Sequence, residues 1–284
     1  MRSIAITLPV ALLVTGCARH HHFQPSLNIT ETMTDSSIGA GQGDTVIDNM
    51  LVLYGDAETG VAQFYAMDAL PPSEPVHTIR LTKDGIDLIQ HPTGFTHHPE
   101  LGTYIGNTVN SVGTIFSVDL DKAIAEGDLD NAITRITDDD LAVNGTRPEF
   151  VRYEDQWLIA TADYGDTDNQ LRLYNPAILS KRTRTSIDKI LVKSFPCPPF
   201  VQTLEWIDDL GVLVLVQNQT KGQGYRLTFC TLEESSLNQL AVIDLNELAD
   251  ELEGFVVLGD GRFVMVSSSP EGNVHLGEIK LPRR

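Results

Sequence analysis

The sequence is short of basic side chains, cysteine and long apolar runs, and each shortage closes off a class of function. Lysine and arginine total 20 against 39 aspartates and glutamates, for a formal net charge of −19. A surface with that excess repels nucleic-acid phosphates and anionic lipid head groups, but it tolerates cationic ligands and metals. Three cysteines in 284 residues are too few for a disulfide scaffold. The apolar run at residues 4–14 is too short to cross a bilayer as a helix. Also missing are a glycine-rich phosphate loop, a zinc-protease histidine pair, a serine elbow, a paired-cysteine metal motif and a basic aromatic patch for nucleic acid. What is present, at 42% hydrophobic content, suffices for a sizeable core.

The first seventeen residues are built differently from the rest. Arg2 gives a short basic start, the apolar run follows, and it leads into Leu13, Val14, Thr15, Gly16 and Cys17. This order resembles the lipobox leader of bacterial lipoproteins. The resemblance implies a signal peptide at 1–16, an acyl anchor (palmitate) on Cys17, and a place in the cell envelope. Ala18 in place of aspartate after the cysteine implies the outer membrane of a Gram-negative cell. Residues 17–25 then form a tether that carries His20, His21 and His22, and residues 26–284 form a single domain. An exported location permits a disulfide between Cys197 and Cys230, with two buried thiols as the alternative.

From residue 50 onward the chain repeats itself. Short aliphatic and aromatic segments start at residues 50, 101, 156, 210 and 261, between 51 and 55 residues apart. Each is followed by a polar turn and a second alternating segment, at 61–67, 112–118, 170–174, 225–230 and 273–279. A strand precedes the central one at 94–98, 150–153, 201–206 and 255–258, and an outer one follows at 76–81, 132–136, 189–193 and 240–243. Four strands per repeat of this length are the rhythm of a β-propeller, here an all-β ring of five four-stranded antiparallel blades. The last repeat ends without its outer strand, and residues 26–30 alternate like a spare one. The spacing therefore predicts a ring closed by that N-terminal strand. Two helical connectors are expected, at 121–126 and at 245–252, and the expected core includes Leu51, Leu53, Tyr104, Trp157, Ile159, Leu213, Phe263 and Met265.

In a propeller the loops entering the innermost strands face the axis. The residues placed there are Gln42 and Asp44, His91, Arg147 and Glu149, Cys197 and Gln202, and Glu251 and Glu253. Gln42, Arg147, Gln202 and Glu253 are the expected ligand-facing set. Asp44, His91 and Glu149 are the candidate catalytic groups, because paired carboxylates serve general acid and base chemistry and a histidine with carboxylates can hold a divalent cation. Asp163, Asp166 and Asp168 have oxygen spacing reminiscent of a calcium loop but lack its full length and terminal glutamate, and His91 is a further metal candidate. Five-bladed propellers occur among glycoside hydrolases, and the similarity here is one of architecture, without those families' local motifs. The reading that results is an envelope-anchored scaffold. It binds a ligand, an envelope protein or a carbohydrate, and it meets the membrane only through its lipid. The alternative is an extracytoplasmic hydrolase acting on a carbohydrate or lactone, with a cation such as calcium as cofactor.

Overall fold

The computed structural model describes residues 23–71, 74–218, 224–246, 248 and 250–282. The leader, Cys17 and the three tether histidines lie outside the described residues.

Five four-stranded antiparallel sheets make up the ring. Blade one runs outward from the axis through Ala40–Ile47, Met50–Asp56, Gly60–Ala66 and His77–Arg80. Blade two has Pro92–His98, Gly102–Val109, Val112–Val118 and Ile133–Asp138, and blade three has Glu149–Tyr153, Gln156–Ala162, Gln170–Tyr174 and Leu191–Pro196. Blade four has Val201–Ile207, Val212–Asn218, Tyr225–Leu232 and Leu237–Leu245. In blade five the inner three strands are Leu252–Val257, Arg262–Ser267 and Val274–Lys280, and the outer strand is Ser26–Met33 from the other end of the chain. Ser26 pairs with Lys280 and Met33 with Val274, with a register shift between Ile29 and Glu31. The expected closure is thus present.

The second strand of every blade is apolar on both faces because it is covered on both. Alternate residues of a strand point to opposite sides of the sheet. Leu51 and Leu53 therefore pack toward blade five, while Val52 and Tyr54 pack toward blade two. In blade four, Leu213 and Leu215 face blade three, and Val212, Val214 and Val216 face blade five. The buried side chains fall into five clusters, one at each blade boundary. The apolar core also reaches back to Phe23, whose ring meets Phe229 at 5.8 Å.

Two expectations change. The apolar spacing of residues 245–252 predicts a helix, but Leu245 closes an outer strand and Leu252 opens an inner one. Both leucines are buried at strand ends, and their separation mimics a helical period. Trp157, expected in the core, is only half-buried and borders a pocket. The first expected helix does form, over Leu120–Glu126, with the Asp119 carboxylate accepting from the Lys122 N–H at 3.3 Å and Gly127 ending it in the left-handed region.

The closure has a tight point. A Cβ on Gly277 would run into the Asn28 carbonyl and the Phe263 ring. Gly277→Ala should therefore cost about 1–3 kcal/mol in denaturant unfolding, as overpacking does. Removal of residues 24–32 should lower the melting temperature further, and unchanged melting of that truncated protein would show that the N-terminal strand does not hold the ring.

Candidate functional site

Five inner strands converge on the axis, and buried among them are Asp44, Glu205 and Glu253. Four of them share a local irregularity. The pairing with the second strand skips one residue between Gly41 and Gly43, Pro92 and Gly94, Val201 and Thr203, and Leu252 and Gly254. Such a bulge bends the strand where the blades crowd together. It also sets a common register. The residue after the bulge is Gly43, Gly94, Thr203 or Gly254, and the next is Asp44, Phe95, Leu204 or Phe255. Blade three pairs without a skip, and Glu149 and Phe150 occupy these two places.

Three carboxylates break the repeat in this register. Asp44 stands where the other blades bury Phe95, Phe150, Leu204 and Phe255. Glu149 replaces a small residue, and Glu205 stands level with Thr45, Thr96, Val151 and Val256. Nothing in the packing of a propeller asks for an acid at these places.

The acids are deep and crowded. Asp44 is 7% exposed, and neither of its carboxylate oxygens has a hydrogen-bond partner among the described residues. Burial, and then the charge of Glu205, hold its carboxyl well above the usual range. Burial and Glu205 likewise raise Glu149, against the pull of the Thr96 hydroxyl and the Trp206 backbone. Burial pushes Glu205 up to about 8, although Glu205 Oε1 accepts from the Val257 N–H at 3.2 Å. The Tyr54 phenol is also raised, first by burial and then by Asp44, Glu149, Glu253 and Glu205, so one hydroxyl lies within the field of all four acids.

The entry end of the axis holds the expected ligand-facing residues. Arg147 is buried, with its guanidinium 5.2 Å from the centre of the Tyr164 ring, and Nη1 donates to the Ala162 carbonyl at 3.3 Å. Burial pulls it down to about 10 despite Glu253. Gln202 Nε2 donates to Glu253 Oε1 at 3.0 Å, and burial raises the Glu253 carboxyl. Gln42 is buried at the bulge of blade one, and Glu251 is exposed.

The exit end opens into a pocket of about 260 Å³ to which every blade contributes. Blade one supplies Thr45 and Val46, blade two Thr96, His97 and His98, and blade three Glu149, Phe150 and Trp157. Blade four supplies Glu205, Trp206 and Asp208, and blade five Val256 and Val257. The chain has only two tryptophans, and both are here. The His98 ring lies 5.1 Å from Trp157 and 5.4 Å from Phe150, and the Trp206 indole N–H donates to Asp208 Oδ1 at 3.1 Å. Neighbouring depressions of about 680 and 980 Å³ share Trp206 and Asp208, so the same face carries a continuous concavity.

The expected catalytic set is not assembled. His91 Nδ1 sits 3.3 Å from Asp56 Oδ2, and its backbone N–H donates to Asn107 Oδ1 at 3.0 Å, so His91 is engaged between blades one and two. Asp163 is fully buried and locked. It takes Arg172 in a two-pronged ion pair at 2.5 and 3.1 Å and accepts the N–H groups of Val143 and Gln170. Asp166 and Asp168 are exposed. Among the described residues no group of three or more histidines, cysteines, aspartates and glutamates is arranged to hold a metal ion. Cys197 and Cys230 are free thiols in one apolar cluster, and burial pushes Cys230 up to about 12.

Glu205, Trp206 and the His97–His98 pair were missing from the sequence-derived set of site residues. Lining up the inner strands by their bulges would have exposed Glu205 as an acid in an otherwise apolar or threonine position.

No protein-family model matches the chain, and no curated protein matches it. Several solved structures are similar in shape. The PQQ-bound aldose sugar dehydrogenase of Streptomyces coelicolor is 10% identical, with 90% of this chain and 99% of that one covered at a TM-score of 0.49. A putative exo-beta-1,3-galactanase of Bifidobacterium bifidum s17 is 13% identical, with 89% and 97% covered and a TM-score of 0.49. Hydrazine synthase of Kuenenia stuttgartiensis is 12% identical at a TM-score of 0.45, over 84% of this chain, which spans 58% of that one. At these values the likenesses assign no activity, and the fold stands on its own strand pairing.

Two outcomes are expected from the acids. Folded Glu205 keeps its proton up to about pH 8, whereas an ordinary glutamate loses it near 4.5. The folded state binds more protons than the unfolded state between these values, so stability falls as pH rises through that window. Asp44, Glu149 and Glu253 act in the same direction. Melting temperature should therefore decline from about pH 5 to about pH 8, and the decline should be shallower in Glu205→Gln. An equal slope in the two proteins would refute this account. In addition, Asp44→Ala removes two unpartnered buried oxygens, each of which costs about 1–3 kcal/mol, so it should raise stability in spite of the small cavity left behind.

Proposed function

We propose that this protein is an envelope-anchored propeller that binds a small ligand in the axial pocket at the exit ends of its inner strands. One observation carries the reading: segments far apart in sequence, one or more from each blade, bring both tryptophans and two buried-strand glutamates to a single pocket. Ligand pockets combine apolar and aromatic walls with a few placed polar groups, and this one has that make-up. Anchoring through Cys17 is supported by the leader pattern, in which Cys17 follows an apolar run and Leu13, Val14, Thr15 and Gly16 and precedes a polar segment.

A hydrolytic reading of the same pocket has one observation in its favour. Glu149 and Glu205 come from different blades, and the charge of Glu205 raises the Glu149 carboxyl, as in an acid and base pair. Turnover of aryl glycosides or lactones that is lost in Glu205→Gln would select it over simple binding.

Because both tryptophans border the pocket, intrinsic fluorescence reports its occupancy. A panel of sugars, amines and lactones titrated into the full-length protein in non-ionic detergent should include members that change the emission saturably, and Trp206→Ala should remove that response. If no member changes the emission of the wild-type protein, the pocket is not a small-molecule site. For the anchor, Cys17→Ala should move the protein from the membrane fraction to the soluble fraction and abolish incorporation of labelled palmitate.

A further inference from the structure

The lining of the axial pocket is one-sided in charge. Glu149, Glu205 and Asp208 border it, and no lysine or arginine does. Its aromatic walls are also placed. The His98 ring packs at a tilt against Phe150 and Trp157, and the Trp206 indole is oriented by its bond to Asp208. An anion would be repelled from this lining. A neutral polyol would find hydrogen-bond partners but would make no use of the acidity of the lining. A cation answers both features, because aromatic faces attract positive charge and carboxylates neutralise it.

Resting on the pocket reading above, we propose that the ligand is a small organic cation, a protonated amine or quaternary ammonium group, held over Trp157 and Trp206 and against Glu149 and Glu205. The volume of about 260 Å³ suits a compact group and not an oligomer. The net charge of −19 draws cations toward the molecule from a distance.

The crowding of the acids gives the site a second property. Asp44 from blade one and Glu149 from blade three lie within the field of Glu205, the Val257 N–H from blade five donates to Glu205, and His97, His98 and Asp208 share the pocket with it. His97 is held below the ordinary histidine range by burial, so it adds no repelling charge near neutrality. Burial raises the Glu205 carboxyl to about 8, which favours its protonated form at neutral pH. An arriving cation favours the ionised carboxylate, so binding expels a proton to solvent, and affinity rises with pH up to about 8.

The test uses choline and its uncharged isostere 3,3-dimethylbutan-1-ol, titrated into the full-length protein with tryptophan emission and calorimetry as readouts. Choline should bind saturably, and the isostere at least about tenfold more weakly. Glu205→Gln and Trp206→Ala should each weaken choline about tenfold or more, with Glu149→Gln as a second acidic variant if either fails to melt cooperatively. The binding enthalpy of choline at pH 7 should differ between phosphate and Tris buffers by the amount that release of up to about one proton gives. Equal affinity for the isostere, or binding of a neutral sugar in place of choline, would overturn the cation proposal and leave the pocket reading standing. Silence from choline in every readout would also overturn it, and the wider ligand panel would then decide the pocket reading alone.

Discussion

The ring depends on one main-chain pairing. Each four-stranded blade has two apolar faces, and each face is covered only by a neighbour, so an open row of five would leave two faces in water. Blade five prevents this by taking Ser26–Met33 as its outer strand beside Val274–Lys280. The pairing ties the first described strand to the last and brings Val256, Val264 and Val266 against Leu51 and Leu53 of blade one. It also satisfies an edge that would otherwise present unpaired N–H and C=O groups.

A closed ring forces its inner strands together, and that crowding shapes everything at the axis. Glycines at 43, 94 and 254 let the strands approach; a Cβ on Gly254 would meet the Asp44 backbone and one on Gly94 would meet Pro148. Side chains then cross from blade to blade, as when Thr203 Oγ1 donates to the Glu253 carbonyl at 2.8 Å and the Phe150 N–H donates to Thr96 Oγ1 at 3.0 Å. Into this crowded space the chain puts Asp44, Glu149, Glu205 and Glu253. Burying an acid without full compensation is unfavourable, and the groups respond by holding their protons. The arrangement is poor for stability and suited to a site whose charge depends on what occupies it. The surrounding fold is otherwise consistent from local pattern to packing, which makes these positions stand out as places where another demand prevailed.

Much of the fold could be read from periodicity. Central strands such as Met50–Asp56 are too short and too uniformly apolar for helices, and they recur at nearly even intervals. Residues 245–252 misled because Leu245, Leu248 and Leu252 have helical spacing, though Leu245 and Leu252 belong to two different strands. The site was less legible. Asp44, Glu149 and Glu253 were found from their place before the inner strands, but Glu205 lies in mid-strand, four residues from its start. Trp157 reads like a core residue in its own strand, and only the neighbouring blades reveal that its outer side faces a pocket.

The sequence alone determined the number of blades, the four-strand unit and the need for the N-terminal strand at the end of the ring, because those follow from local alternation and from a count of strands. It also determined the excess of acidic over basic residues, 39 against 20. Only the tertiary structure decided which acids meet. Asp44, Glu149 and Glu205 are separated by 105 and 56 residues along the chain, and their proximity follows from the angle and register at which blades pack about the axis. The tertiary structure likewise committed His91 to Asp56 and Asp163 to Arg172, since partners chosen across turns and blade boundaries have no signature in local pattern.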